Sequence, residues 1–290
     1  MKQVENFIRY ITTLKHYSVH TVTSYKKDLQ QFMAFCSLPE GQFPDHHHIR
    51  EWIVDMMSKG IAARSVNRKL SALKSFYHYL VRENILESNP VKKVILPRTD
   101  KKLPVFVHEK NMDMLLDNIN FGDNFEGIRN RLIIEMLYFT GMRVNELTQL
   151  KCSDLNLYES SLKVLGKRNK ERIIPLIPEM VTTLNEYLTK RSELAAGNNE
   201  YLLLTMKGAK VYNRMAYRIV HQYLTLVTTL DKRSPHVLRH TFATHMLNKG
   251  ADLNAIKEIL GHANLSATEV YTHNTFEKLK KIYKQAHPRA

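Results

Sequence analysis

A basic segment rich in proline interrupts an otherwise helical pattern in this chain, and it constrains the fold more than any other feature. Residues 90–107 contain three prolines among several lysines and arginines. Proline ends helices and favours extended backbone, so this segment predicts an extended, positively charged linker. With 290 residues the chain is long enough for a core on each side of it. We therefore predict a helical N-terminal domain over 1–89 and a second domain over 108–290.

Apolar residues recur at helical spacing along most of the chain. In the N-terminal part they predict helices over 4–14 and 18–36, then two more that begin at Asp45 and Ser65 as N-caps. In the second part they predict helices at 108–119, 126–139, 178–195, 212–229, 236–249, 253–260 and from 267 onward. The strings LKVL and ERIIPL, joined by the polar GKRNK, predict a β-hairpin. The predicted fold is mainly α with a small β-sheet in the C-terminal domain, an α+β class.

The charge of the chain limits the class of its partner. The formal net charge is +15, and the basic residues are spread over the whole length. A dispersed positive surface favours a polyanion, RNA as well as DNA, through contacts to phosphate. In the fourth predicted helix Arg64, Arg68, Lys69 and Lys74 lie opposite the apolar stripe. That face either binds phosphate or is simply solvated.

The remaining composition argues against several classes of protein. The two cysteines lie far apart, which argues against a disulfide scaffold and fits a reducing cytoplasm. No apolar run reaches membrane length and the N-terminus lacks a signal-peptide pattern, so we expect no membrane insertion. The histidines at 46–48 show no cysteine or acidic partner at ligand spacing, so we interpret them as a first helical turn and expect no metal site.

The string SPHVLRHTFATHMLNK combines a helix start with two cationic side chains. Ser234 is a good N-cap and Pro235 a good first helical residue, which places His236 and Arg239 one turn apart on the same face. Because a helix N-terminus already attracts anions, this arrangement indicates an anion site. Taken alone, the motif is weak, because an isolated H-x-x-R is more often a histidine beside a surface arginine.

The next string leads to a tyrosine. ADLNAIKEILGH predicts a short helix that ends at Gly261, directly before His262. In the following ANLSATEVYTH, Ser266 and Glu269 form a capping box that opens another helix. Tyr271 lies just inside that helix, where it is either a half-buried aromatic residue or a nucleophile. A phenol needs cationic neighbours to act as a nucleophile, because its pKa is about 10.

These strings, in this order, closely resemble the tyrosine recombinase (phage integrase) family and its Xer branch in particular. TGMRVNEL is similar to the segment with the family's first arginine, here Arg143, and LGKRNKERIIPL to the hairpin with its catalytic lysine, here Lys167. Lys170 is the nearest competitor for that role, and Arg168 stands where a glycine is expected. The helix SVNRKLSALKSFYHYL resembles the family's core-binding domain, and the final HPRA resembles the end of the XerD type.

The resemblance implies a catalytic set with defined roles. Its members are Arg143, Lys167, His236, Arg239, His262 and Tyr271. Tyr271 would attack the scissile phosphate to form a 3′-phosphotyrosyl link, and the two arginines would hold the non-bridging oxygens. His236 would take the tyrosine proton, His262 would hydrogen-bond the phosphate, and Lys167 would protonate the departing 5′ oxygen. Glu146, three residues after Arg143, would pair with it, or form a purely structural salt bridge.

The same resemblance implies partners and biology. A two-domain clamp would close on a double-stranded DNA recombination site. Four subunits, identical or including a related recombinase, would exchange strands through a Holliday junction, with an accessory activator protein as a further partner. Neither ATP nor a metal is expected, because the covalent link conserves the bond energy and the sequence has no P-loop.

Several roles remain open from the sequence alone. Resolution of chromosome dimers is favoured over integration or transposition of a mobile element. A type IB topoisomerase has similar chemistry, and a catalytically silent DNA-binding protein is a further alternative.

Overall fold

The computed structural model describes residues 2–39, 41–99, 105–166, 170–194, 199–261, 280–283, 285–287 and 289. The chain divides into two compact units, residues 1–102 and 103–290. Each unit has its own cluster of buried apolar side chains. No helix in the described ranges is both long and apolar enough to cross a membrane.

The first unit is a helical bundle around aromatic side chains. Its described helices are α1 (Lys2–Thr13), α2 (Val19–Cys36), α3 (His46–Ser58) and α4 (Ala63–Arg82). Phe7 and Phe76 meet edge to face with ring centroids 5.4 Å apart, and Phe32 contacts Trp52 at 5.0 Å. A 3-10 turn follows at Pro90–Lys93, and its Val91 is buried in the same core. The structured part of the first unit therefore continues into the segment predicted as a linker.

The two predicted N-caps of the first unit had different outcomes. Asp45 caps α3 as predicted, since its carboxylate accepts hydrogen bonds from the backbone N–H groups of His47 at 2.9 Å and His48 at 3.2 Å. The prediction that Ser65 caps α4 was wrong, because the helix begins at Ala63 and Ser65 lies in its first turn. Ala62 holds the N-cap position without a side-chain bond, so a residue with no polar signature begins this helix.

The histidine tract forms the first turn of α3, as predicted. The expectation that it lacks an acidic partner was wrong, because one potential ligand atom each from Asp45, His46 and His47 lies within 4.8 Å of the others. The Asp45 carboxylate is, however, occupied by the cap and by a 2.6 Å hydrogen bond to Nδ1 of His48. We therefore assign no metal to this turn.

The second unit surrounds one buried helix with further helices and a small sheet. Its described helices are α5 (Glu109–Asp113), α6 (Phe125–Thr140), α7 (Val144–Gln149), α8 (Pro178–Ser192), α9 (Asn213–Val227), α10 (Pro235–Asn248) and α11 (Leu253–Leu260). Helix α6 packs against α8, α9 and α10 and is buried along almost its whole length. The helix predicted over 108–119 is divided, since a π turn at Met114–Asn118 follows α5.

The sheet is antiparallel and has the order β1-β2-β3. Its strands are β1 (Leu155–Asn156), β2 (Ser161–Leu165) and β3 (Glu171–Pro175). The predicted hairpin is β2–β3, in which Leu165 pairs with Glu171 and Val164 with Arg172. The backbone N–H of Gly166 donates to the Lys170 carbonyl at 2.8 Å and so closes the turn. The short β1 strand was not predicted.

The described part of the C-terminal tail packs against the second unit of its own chain. The Tyr283 hydroxyl donates to the Phe139 carbonyl, and Nε2 of His287 lies 3.2 Å from the same oxygen. Arg289 forms ion pairs with three carboxylates, those of Asp113, Asp117 and Glu179. The helix predicted from 267 onward lies outside the described residues as far as 279.

Candidate active site

Two glycines bring the segments of the site close together. Gly141 ends α6 in the left-handed conformation, with φ of 60°, as the sequence predicted. A Cβ at this position would collide with the Phe242 ring of α10, so glycine also permits the close approach of the two helices. Gly261 ends α11 with φ of 65° in the same way.

Arg143 lies two residues after the first of these stops, at the N-cap position of α7. Its Nη1 donates to Oε1 of Glu146 at 2.8 Å, and its backbone N–H donates to Oε2 at 2.9 Å. The predicted pairing of Glu146 with Arg143 is therefore confirmed. The Arg143 side chain is still 28% exposed, so it is only partly buried.

Arg239 lies on α10 and is buried. Its Nη1 donates to the Gly141 carbonyl at 2.6 Å, and its Nη2 donates to the Leu260 carbonyl at 2.7 Å. Burial lowers the pKa of Arg239 to about 10, and the charges of Arg143 and Arg172 act in the same direction. The guanidinium is thus charged at neutral pH, and it lies close to two other cations.

A third arginine, which the sequence did not single out, completes the cluster. Arg172 is buried on β3, where its Nε donates to the Ile259 carbonyl at 2.7 Å and its Nη2 donates to Oε2 of Glu146 at 2.7 Å. Arg172 shares the inner face of the strand with Ile174, two residues on. A charged residue on the apolar face of a predicted strand was the signal that could have identified it.

The three guanidinium groups converge on the C-terminal end of α11. Arg172 and Arg239 bind the carbonyls of Ile259 and Leu260, and Nη2 of Arg143 lies 3.5 Å from that of Gly261. Cations are favoured there, because the last carbonyls of a helix lack backbone partners and carry partial negative charge. Glu146 is the carboxylate that the described contacts place among them. Three positive charges against one negative charge leave a surplus suited to binding an anion.

His236 occupies the first turn of α10, as predicted, and its ring is exposed. Ser234 holds the predicted N-cap position, although its side chain makes no capping hydrogen bond. In the part of the chain that the structure describes, the hydrogen bonds of the cluster join the arginines and Glu146 but not His236. Among the described residues, its exposed ring thus lies outside this hydrogen-bond network.

The other three predicted site residues, Lys167, His262 and Tyr271, lie outside the described residues. Two of them, Lys167 and His262, directly follow described glycines that lie close to Arg172 of the cluster. Gly166 precedes Lys167, and Gly261 precedes His262. A Cβ added to Gly166 would lie 3.5 Å from Nη1 of Arg172, and one added to Gly261 would lie 3.2 Å from it.

Two family models match this chain. Residues 105–278, which include all six predicted site positions, match the model described as the Phage integrase family. Residues 4–84 match the phage integrase N-terminal SAM-like domain. The two matches fall in the two compact units separately, with one model for each.

Curated relatives cover the full length of the chain. Tyrosine recombinase XerC of Staphylococcus saprophyticus is 38% identical over 294 residues, which cover 100% of this chain and 99% of that protein. Tyrosine recombinase XerC of Chlorobaculum tepidum is 36% identical over 314 residues and covers 98% of this chain and 94% of its own. Both relatives are XerC proteins, so they support the Xer type without singling out the XerD type.

Solved structures share the fold. The XerH site-specific recombinase bound to palindromic difH substrate, a post-cleavage complex, has a TM-score of 0.70 at 24% identity, covering 96% of this chain and 83% of its own. A Tn1549 transposon integrase in complex with transposon right end DNA has a TM-score of 0.72 at 19% identity, and the match covers 96% of this chain and 98% of that one. At these identities the likeness concerns the fold. Together with the family models and the full-length relatives, it leads to one assignment: this chain belongs to the phage integrase family, as a tyrosine recombinase of the Xer type.

Proposed function

We propose that this chain is a site-specific recombinase that cuts and rejoins DNA through a covalent bond between Tyr271 and a 3′ phosphate. The observation that carries the proposal is the cluster of Arg143, Arg172 and Arg239 at the end of α11, which has a surplus of positive charge. Attack on a phosphodiester places additional negative charge on the non-bridging oxygens. Donors fixed in advance around that charge lower the barrier, by about 3–4 kcal/mol for a well-placed one.

The two predicted arginines differ in what they offer a phosphate. Arg143 is partly exposed and is held on one side by Glu146, so its free edge can bind a non-bridging oxygen. Arg239 is buried and already donates to two carbonyls. It contributes charge and the remaining donor capacity of its guanidinium. An arginine that is fixed before the substrate arrives loses little conformational freedom on binding.

The remaining roles complete one balanced step. The Tyr271 oxygen forms a bond to phosphorus while the bond from phosphorus to the 5′ oxygen breaks. His236, exposed on the first turn of α10, takes the phenolic proton. His262 hydrogen-bonds the phosphate, and Lys167 supplies a proton to the departing 5′ oxygen. The phosphotyrosyl bond stores the energy for rejoining, so the step requires neither ATP nor a metal.

The proposed substrate is duplex DNA that carries a recombination site. XerH has been captured on difH substrate, and lambda integrase as a tetramer on a Holliday junction. We propose the same arrangement for this chain, as a tetramer of itself or with a related recombinase, assisted by an accessory activator. Resolution of chromosome dimers is the biological role that we propose, because the full-length curated relatives carry the XerC name.

The basic face of α4 provides phosphate contacts for the first unit. Arg68 and Lys69 both pair with the buried Asp28 of α2, so they are partly structural. Arg64 and Lys74 are exposed, and neither forms an ion pair within the described ranges. We therefore assign the DNA contacts of this face to Arg64 and Lys74 first.

The test begins with DNA trapped on the protein in cells. Covalently attached DNA is recovered under denaturing conditions and sequenced to give the site, and a nicked oligonucleotide duplex of that site then serves as a suicide substrate. Wild-type protein should accumulate a covalent adduct, and Tyr271→Phe should bind the duplex without forming one. Tyr158→Phe is the matched control, because Tyr158 is almost fully exposed in the same unit. An adduct formed by Tyr271→Phe would refute the assignment of the nucleophile.

A further inference from the structure

Arg172 connects parts of the second unit that are far apart in sequence. Its guanidinium reaches from β3 to the Ile259 carbonyl, 87 residues away, and to Glu146, 26 residues away. Both hydrogen bonds are 2.7 Å long, and both use groups on the same planar fork. Arginine suits this position because its donors point in fixed directions.

The contact with Glu146 leads directly to Arg143. Oε2 of Glu146 accepts from both Arg172 and the backbone N–H of Arg143, while Oε1 accepts from the Arg143 side chain. The carboxylate therefore accepts hydrogen bonds from two arginines at once. A shift of Arg172 would remove one of these hydrogen bonds from Glu146. The Arg143 guanidinium, which is bound to Glu146, would then move together with it.

The surroundings of Arg172 leave it little freedom. It is buried, and its side chain packs so closely against Gly261 that an added Cβ would lie 3.2 Å from Nη1 and 3.4 Å from Cζ. A single side chain of the hairpin therefore contacts both the end of α11 and the carboxylate partner of Arg143. Nothing in these contacts requires Arg172 itself to touch DNA.

We propose that Arg172 is a positioning residue for strand cleavage: it fixes Glu146, and through it the Arg143 guanidinium, against the end of α11. The inference rests on the proposed function, since it concerns the same phosphate site. A misplacement of about 1 Å in a catalytic group can reduce a rate by about 100-fold. Arg172 thus acts on the rate of cleavage and not on the affinity for DNA.

The experiment measures the first-order rate of covalent adduct formation on the suicide duplex at saturating protein, and the affinity for the same duplex separately. Arg172→Met should form the adduct about 100-fold more slowly, and Arg172→Lys about tenfold, because lysine keeps the charge but not the planar fork. Affinity for the duplex should stay within about threefold of the wild-type value, because phosphate contacts spread over a chain of net charge +15 supply most of that affinity. Arg172→Lys also keeps the test valid if Arg172→Met fails to fold.

A neutral phosphate distinguishes positioning from a general loss of folded protein. In a methylphosphonate substrate one non-bridging oxygen is replaced by methyl, so less charge has to be stabilised by Arg143. The defect of Arg172→Met should then shrink from about 100-fold to less than about tenfold. A variant that was merely less folded would be equally slow on both substrates, and that result would overturn the proposal.

Two further variants complete the design. Arg129 is also a buried arginine with an ion pair, to Glu126 on α6, so Arg129→Met controls for the loss of a buried guanidinium and should cleave at the wild-type rate. Glu146→Gln combined with Arg172→Met should be no slower than the slower single variant, because the two residues act in one chain of contacts. Additive defects, or wild-type cleavage by both Arg172 variants, would contradict the inference. Absence of an adduct with wild-type protein would instead contradict the proposed function.

Discussion

Replacing Glu146 by glutamine is the change whose energetic effect follows most directly from the structure. The buried carboxylate accepts three hydrogen bonds, two from Arg143 and one from Arg172. A glutamine side chain offers one oxygen and one NH2 group. If its oxygen keeps the bonds to the Arg143 backbone and to Arg172, its NH2 group must face the Arg143 guanidinium, which is itself a donor.

The cost can be estimated from these contacts. A hydrogen bond to a charged group contributes about 1.5–3 kcal/mol, and removal of one partner from a buried ion pair costs about 3–5 kcal/mol. Glutamine retains part of the network, so we expect Glu146→Gln to lower the free energy of unfolding of the second unit by about 3 kcal/mol at pH 7.

The pH dependence gives an independent check on the same residue. Burial acts to raise the pKa of Glu146, but the hydrogen bond and charge of Arg172 and the hydrogen bonds from Arg143 outweigh it, and the pKa lies below its ordinary value. A carboxyl with a lowered folded-state pKa stabilises the fold above its unfolded-state pKa and loses that contribution as the pH falls through the folded-state value. The difference in the free energy of unfolding between wild type and Glu146→Gln should therefore become smaller below about pH 4.3.

The assay is urea denaturation followed by far-ultraviolet circular dichroism. The single tryptophan, Trp52, lies in the first unit, so its fluorescence reports that unit separately and should not change. Glu193→Gln is the matched control, because Glu193 pairs with Lys190 in the same unit but both side chains are exposed, at 60% and 40%, and it should cost less than about 1 kcal/mol. Equal losses for the two variants, or a Glu146→Gln loss that is independent of pH, would refute the reasoning.

Two further predictions concern α6 and the tail. Burial raises the pKa of Glu135 to about 7, so ionisation of Glu135 weakens the fold as the pH rises from about 4.3 towards that value. Glu135→Gln should therefore melt at a higher temperature than wild type at pH 8 and at the same temperature at pH 4. A lower melting temperature of the variant at pH 8 would contradict this. Deletion of the residues after Thr275 removes Tyr283, which is buried against the second unit, and should weaken the pairing of two DNA sites while most single-site binding, measured by gel shift, is retained. Unchanged recombination by the truncated chain would exclude a role of the tail.

The elements that the sequence predicted well are those with strong local signals. Helix α11 was predicted over 253–260 and observed there, because Asp252 caps it and Gly261 stops it. The β2–β3 hairpin was predicted from two apolar runs around a polar turn. The start of α4 was missed, because no polar cap marks Ala62 and the nearby Ser65 offered a false one.

The candidate site was only partly predictable, and for a different reason. The pairing of Arg143 with Glu146 spans three residues, so helix geometry alone suggests it. Arg172 meets Glu146 and Ile259 only after the chain has folded, and no local pattern encodes contacts over 26 and 87 residues. Burial of a charged group on a strand depends on partners that are supplied by other elements.

The convergence of three arginines on the end of α11 also has a consequence for how the chain folds. Helix α11 has eight residues, which is too short to be stable in water alone. Its last carbonyls are bound by arginines from three other segments, so the helix gains these partners only when all of them are in place. Such long-range contacts form late, because the entropy of closing large loops has to be overcome first. We therefore expect a newly made chain to acquire this arginine cluster near the end of folding and to become able to cut DNA only then.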